Sequence, residues 1–478
     1  MIKKKLWSQL AEFCAFMLVL ILMLFLVGNT VERKQSQNLF GGFLREPDAY
    51  DVLFFGDSQF MNGMIPLEMW EDYGIAGYNL ACYGSVIPTS YWTMINAFDY
   101  AEPELVVFAI NGINEMHKVS NYSGDLHTAL DFWPLTPTKV RMINDLLHDP
   151  EDPDFTDVEG KRSRDLEWEF YFALLKYHSR WRELKREDFA RPPAYVKGGE
   201  SLVGIAPIWE YELVGEERYA EEGGHAYAYL RAAIEECQRR EIEVLLVHLP
   251  APQYVDSQRH ANTVRSLATE YGVDFIDITY LDSIVDYAVD CFDDEPHLNL
   301  SGTLKMTSFL GSYIRDHYNL PDRRNDPRYA HWNTQLDDYK DEKIRTLRGQ
   351  ADLNHVLMLL HDRDFDVCLS AGSEAPIYYD DLSILLMHNL ARERVLAGEE
   401  YDKWSGFMFP LTGFDVAMGQ GKAYYLYREG DKLVELIGSE AEKKAVAVFG
   451  YDEKSAVRID VFDRRNGEAV AEFRFKSE

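Results

Sequence analysis

The sequence predicts an α/β layer fold with a parallel sheet, preceded by an apolar helix and followed by a smaller β-rich domain. Three observations predict it. Strand-like and helix-like segments alternate from Asp51 to Tyr318, the pattern of a sheet wound with helices. The strand-like segments, "DVLFFG" first among them, are apolar throughout, as strands covered on both faces must be. The residues from 346 onward change to strand–turn–strand patterning. A chain of 478 residues accommodates two or three such domains.

The elements follow in order. Lys3–Lys5 precede "FCAFMLVLILMLFLV", Phe13–Val27, which contains no polar group. With the preceding turns and Trp7 as an interfacial ring, it reaches the roughly 20 residues that a bilayer requires. Glu12 would lie shallow, and the lysines favour a cytoplasmic N-terminus. A cleaved signal peptide is the rival, but "LVGNT" is a poor cleavage site. Residues 1–29 therefore read as a cytoplasmic stub and single-pass anchor, with the bulk of the chain extracytoplasmic, and residues 30–47 as a polar stalk. Residues 48–320 form the α/β body. Its strands are "YDVLFFGDS", "GIAGYNLACYG", "PELVVFAINGINE", "EVLLVHLPAP" and "VDFIDIT". Its helices include "SYWTMINAFDYA", "AYAYLRAAIEECQRREI", "ANTVRSLATEYG" and "LSGTLKMTSFLGSYIRDHY", with apolar positions three and four apart. Residues 117–208 are too long for a loop and read as a mostly helical insertion over the ligand end of the sheet. A charged linker is expected over 321–345. The β-rich domain, 346–478, opens with a helical "YDDLSILLMHNLARERVL" and closes on a hairpin turning at Asn466-Gly467.

The formal net charge is −31 and no basic stripe is present, which excludes nucleic acid as a partner. None of the five cysteines has metal-site spacing, and no glycine-rich phosphate loop is present, so neither metal nor cofactor is expected.

Chemistry concentrates at strand ends. Ser58 follows the first strand at Gly56-Asp57-Ser58, on the edge where open α/β sheets bind ligands. The rival reading is a turn serine. A serine nucleophile needs a base and an orienting group. His297 in "CFDDEPHLNLSGT" is the base candidate, with Asp294 three residues before it as the orienter and Asp293 as the alternative. Oxyanion donors are the backbone N–H of Ser58, the N–H at Gly84 after the second strand, and an asparagine after the third. Asn114 is preferred for the last, with Asn111 read as closing the strand or as a substrate contact. His248 lies at a strand end but lacks an aspartate at useful spacing, so it reads as packed or as a substrate contact. His178 and Arg180 in "KYHSRW" are candidates for an anionic substrate, against a plain helix that packs Trp181 and leaves Arg180 solvated.

Gly56-Asp57-Ser58, "NLACYG" with Gly84, "GINE" with Asn114 and the late Asp294-Glu-Pro-His297 stand in the order of the four blocks of the SGNH (GDSL-type) hydrolase superfamily, which residues 48–318 resemble. The resemblance implies a flavodoxin-like three-layer α/β/α fold, a Ser58–His297–Asp294 triad, and an oxyanion hole of Ser58, Gly84 and Asn114. Gln59 replaces the family's usual leucine, and Glu115 its usual aspartate. The anchor, "FFGDSQ", "YHSRW" and "HLNLSG" together resemble the membrane-anchored proteins of bacterial cell-envelope modification: those of teichoic acid D-alanyl transfer and of polysaccharide O-acetylation. That resemblance implies an acyltransferase, acetyl in most such proteins, acting on an envelope polysaccharide or teichoic acid-like glycan beside a membrane-bound O-acyltransferase. The alternatives are a carbohydrate esterase using the same triad and a non-catalytic glycan-binding scaffold. The final hairpin and "DFDVCLSAG" loosely resemble the interleukin-like domain of envelope proteins, implying carbohydrate contact, with Trp404 and Tyr425 as stacking candidates, or a purely structural appendage.

Overall fold

Four apolar residues, Val52–Phe55, form a fully buried strand, β1, at the heart of a parallel sheet. In the computed structural model β1 pairs with β2 (Gly77–Asn79) on one side and β3 (Leu105–Ala109) on the other. Next come β4 (Glu243–His248) and β5 (Asp274–Asp277), giving the all-parallel order β2-β1-β3-β4-β5. This is the flavodoxin-type doubly wound order, whose switch point lies between β1 and β3. Burying each large apolar side chain of these strands stabilises the fold by about 1.5–3 kcal/mol.

The structure describes residues 2–32, 40–46, 50–114, 116–189, 196–219, 224–281, 284–295, 297–371, 382–383, 385–386, 414–419, 422–429, 432–437 and 457–475. They group into two units: residues 1–200, 211–282 and 307–332, and residues 201–210, 283–306 and 333–478. The sequence division at 320 and 346 differs from this grouping, because residues 283–306 belong with the second unit.

In the first unit α1 (Ile2–Val31) contains Gln9–Val31, the one helix among the described residues that is long and apolar enough to cross a membrane. The sheet helices are α2 (Ser58–Met61), α3 (Pro66–Tyr73) and α4 (Ile87–Ala97). The insertion contributes α5 (Ser123–Leu130), α6 (Pro137–Leu147) and the short α7 (Ala173–Tyr177). Beyond it lie α8 (His225–Arg239), α9 (Val255–Tyr271) and, from residue 307 on, α10 (Leu300–His317), whose first turns are grouped with the second unit. Right-handed crossovers put α3 on one face of the sheet and α4, α8 and α9 on the other. Contacts agree: Cys237 Sγ of α8 lies 3.7 Å from Met94 Sδ of α4. On the opposite face Tyr73 of α3 donates to the Ser308 carbonyl of α10 at 3.2 Å.

Three sequence expectations change. The predicted stalk is packed over residues 40–46, where Phe40 and Phe43 are buried against Phe132 and Tyr50 and Lys197 pairs with Glu46. The insertion runs along the outer side of α4: Asp125 lies beside Gly84, Trp92 donates to Asp145 at 2.6 Å, and Tyr100 stacks on Trp133. Its return reaches the carboxyl edge, where Asn79 N–H donates to Lys197 O at 2.8 Å. The predicted linker is helical over α11 (Ala330–Arg348). Lysines occupy part of its buried face, which hid the apolar periodicity: Lys340 and Lys343 are buried with Tyr339 and Leu347.

The second unit holds an antiparallel sheet. Its strands are β6 (Phe365–Ala371), β7 (Phe414–Gly419), β8 (Lys422–Glu429), β9 (Lys432–Ile437), β10 (Val457–Asp463) and β11 (Ala469–Phe475). Their order is β11-β10-β6-β7-β8-β9. The β10–β11 turn has Gly467 at φ +73°, the left-handed conformation that glycine adopts without strain. Burial works to raise the Asp364 carboxyl, but Lys343 and Lys340 outweigh it and hold it below the usual range. Trp404, the Tyr425 side chain and most of "YDDLSILLMHNLARERVL" lie outside the described residues.

Candidate active site

The first three strand ends meet at the switch point. A Cβ on Gly56 would lie 2.7 Å from Ala109 Cβ, so glycine is needed there for the close approach of β1 and β3. Asp57 caps α2 by accepting from Gln59 N–H at 3.1 Å, which fixes half-buried Ser58 as the first helical residue. Beside it, the chain leaving β2 donates Cys82 N–H to Gly56 O at 3.1 Å and turns at Gly84, φ +59°. A Cβ on Gly84 would collide with the Asp125 carboxylate, 2.0 Å away. Burial pushes the Asp125 carboxyl above its ordinary value, while the Ser120 hydroxyl, donating at 2.8 Å, opposes that shift. Tyr83 donates its hydroxyl to Glu200 on the returning insertion.

After β3 the chain forms a tight turn, Asn111–Asn114. A Cβ on Gly112 would be 3.5 Å from Ser85 O, which puts this turn against the one carrying Gly84. The Asn111 amide is fully engaged. It donates to Gln59 Oε1 at 2.5 Å and to Leu249 O at 3.3 Å, and accepts from Leu249 N–H at 2.9 Å. Asn111 thus clamps β3 to β4 and reaches the residue after Ser58, instead of presenting an open amide to substrate. Asn114 lies in the same turn, with its side chain outside the described residues, as is Glu115.

His297 belongs to the second unit. Its Nδ1 lies 2.8 Å from Asp293 Oδ2, and its own N–H donates to the other Asp293 oxygen at 3.2 Å. Of the two aspartates weighed, the one seen on the His297 ring is Asp293, the alternative to the preferred Asp294. At i−4 the carboxylate spans both the ring and the backbone of the histidine, forming a closed loop. Two residues that the sequence reading missed hold this loop. Asn299 donates to Val289 O at 2.7 Å and Gly204 O at 3.1 Å and accepts from Gly302 N–H, tying the loop to the start of α10. Asp290, fully buried, accepts from Ser301 and Lys305. An asparagine directly ahead of "LSGT" is a capping signal and was the available clue.

His248 has an aspartate after all. Strand register sets it opposite Asp277, and its Nδ1 lies 2.9 Å from Asp277 Oδ1. Its Nε2 lies 3.1 Å from Ser257 Oγ on α9. This has the connectivity of a triad, but the His248 side chain is 0% exposed. No substrate can reach it, so the cluster ties β4, β5 and α9 together.

In the insertion, His178 Nδ1 bonds the Leu175 carbonyl of its own turn at 3.1 Å. The Arg180 guanidinium is already engaged, donating to Val31 O, Glu32 O and Asp188 Oδ1 at 2.5, 2.7 and 2.9 Å. It clamps the end of α1 and is held by protein acceptors, where the sequence offered a solvated arginine or one facing an anionic substrate.

No family model matches the chain, and no curated protein matches it. Assignment of chemistry rests on the residues themselves.

Proposed function

We propose that this chain is a membrane-anchored, extracytoplasmic SGNH-type acyltransferase of a bacterial cell envelope, moving an acyl group, acetyl by preference, onto a glycan hydroxyl. The observation that carries the reading is the convergence of Ser58, Gly84 and the Asn111–Asn114 turn at the β1/β3 switch point. That edge offers a nucleophile on a helix start and backbone donors around it. In this reading His297, held through Nδ1 by Asp293, takes the Ser58 proton as Oγ attacks the acyl carbonyl. The proton leaves with the donor's departing group, and an ester on Ser58 remains. His297 then takes a proton from the acceptor hydroxyl, which attacks that ester, and returns it to Ser58 Oγ. The apolar α1 would hold the enzyme on the membrane with its lysine-bearing end cytoplasmic.

The test is a serine-directed fluorophosphonate with peptide mapping, followed by incubation with acyl donor and envelope glycan. Labelling at Ser58 and acylated glycan are expected. Free acetate as the sole product would make the enzyme an esterase, and absence of labelling on folded protein would make the body a binding scaffold.

A further inference from the structure

The segment Trp168–Phe189 carries an unusual number of exposed aromatic and aliphatic side chains. Trp168 is 61%, Leu175 54%, Trp181 62% and Phe189 70% exposed. Rings this large are seldom left together in water. The segment is nonetheless firmly moored from its inner side. His127 bonds Asp131 and Glu169 at 3.1 and 3.2 Å and stacks on Phe170, and Tyr177 donates to Asp131 at 2.6 Å.

Its depth follows from α1. Phe172 packs on Phe25 at 6.1 Å between ring centroids, and α7 lies against Gly28, with Leu174 N 3.6 Å from where a Cβ would be. At about 1.5 Å per residue, Gln9–Val31 is about 35 Å long and Phe25 lies about 9 Å from its C-terminal end. A hydrocarbon core of about 30 Å leaves only about 5 Å of slack. Even with α1 shifted fully toward its N-terminal side, Phe25 stays about 4 Å inside the core boundary. Phe172, and Trp168 stacked on it at 6.1 Å, are thereby set at the headgroup–acyl boundary. The charge fits as well. In a chain of net −31, this stretch carries five Lys/Arg against four Asp/Glu, so it lacks the acidic excess of the rest, and Arg182 lies over the Trp181 ring at 4.9 Å.

We infer that Trp168–Phe189 is an interfacial foot that enters the bilayer leaflet at the C-terminal end of α1, its rings among acyl carbonyls and its cations on lipid phosphates. The inference rests on α1 spanning a membrane. The foot and the span together make a two-point attachment, which fixes the height and tilt of the first unit and not merely its tether.

The test uses the full chain in nanodiscs of phosphatidylcholine and phosphatidylglycerol, in a Cys14→Ser background. A fluorophore is placed by Trp168→Cys, Leu175→Cys, Leu18→Cys in the span, or Glu270→Cys on α9, and signal from the unsubstituted protein is subtracted. Stronger quenching by a shallow nitroxide lipid than by aqueous iodide is expected at positions 18, 168 and 175, with the reverse at 270. Lipid quenching at 18 with iodide quenching at both 168 and 175 overturns the foot and leaves the anchor standing. Iodide quenching at 18 overturns both. If one foot variant fails to fold, the other carries the decision.

Discussion

Two aspartate-held imidazoles invite comparison, one at the end of β4 and one in the loop before α10. His248 has an aspartate on Nδ1 and a serine hydroxyl on Nε2, the connectivity of a triad. Its side chain is sealed. His297 has its aspartate at 2.8 Å, and its side chain is 14% exposed. The contrast teaches that an aspartate on the ring marks a sealed histidine as readily as an accessible one. Access by a substrate is what separates chemistry from packing.

The comparison breaks most decisively at the two serines. Ser58→Ala should abolish fluorophosphonate labelling and lower acyl transfer by a factor on the order of 10⁶, as when a triad nucleophile is removed. Ser257→Ala should leave labelling and turnover near the parent's while lowering stability by about 1–3 kcal/mol, read by thermal unfolding, because it leaves a buried imidazole nitrogen unpaired. Loss of labelling in the Ser257 variant alone would reverse the roles of the two clusters.

The two carboxylates sharpen the point next. Asp293→Asn should reduce turnover by about 10⁴-fold through loss of ring orientation. Asp294→Asn should leave the rate near the parent's, and steady-state kinetics on the two variants would decide between these neighbours. A smaller effect is expected at Gly84→Ala, about 10²–10³ in kcat, as when one oxyanion donor is displaced. Its new Cβ must push away Asp125, and the residue must hold a left-handed backbone conformation.

The smallest effect concerns a third imidazole, His127, which faces a carboxylate on each nitrogen and so must donate from both. Burial works to lower its pKa, but Asp131 and Glu169 outweigh it and raise it above 6.5. The stabilisation is complete below about pH 6.5 and is lost as pH rises through the folded value. Thermal melts of the parent should fall as pH is raised above about 6.5, and melts of His127→Gln should lack this step.

Much of the first unit was legible because its strands are short apolar runs that cannot be hidden, and because Gly-Asp-Ser ends the first of them. The His248–Asp277 pair was not legible. Its members are 29 residues apart, and only the β4–β5 register sets them side by side. Asp293 against Asp294 was undecidable from spacing, since either carboxylate reaches an imidazole three or four residues on and the local turn selects one. The role of Arg180 depended on where α1 ends in space.

The amino-acid order by itself determined the winding of the sheet, the apolar N-terminal helix and the strand ends that carry polar side chains. Those features follow from local periodicity and from burial of apolar area, which act along the chain. Only the tertiary structure decided which histidine is sealed, which aspartate holds which ring, and that the aromatic segment of the insertion lies against α1. Such pairings depend on register and packing between residues distant in sequence, and a hydrogen bond is selective over tenths of an ångström that no spacing rule resolves.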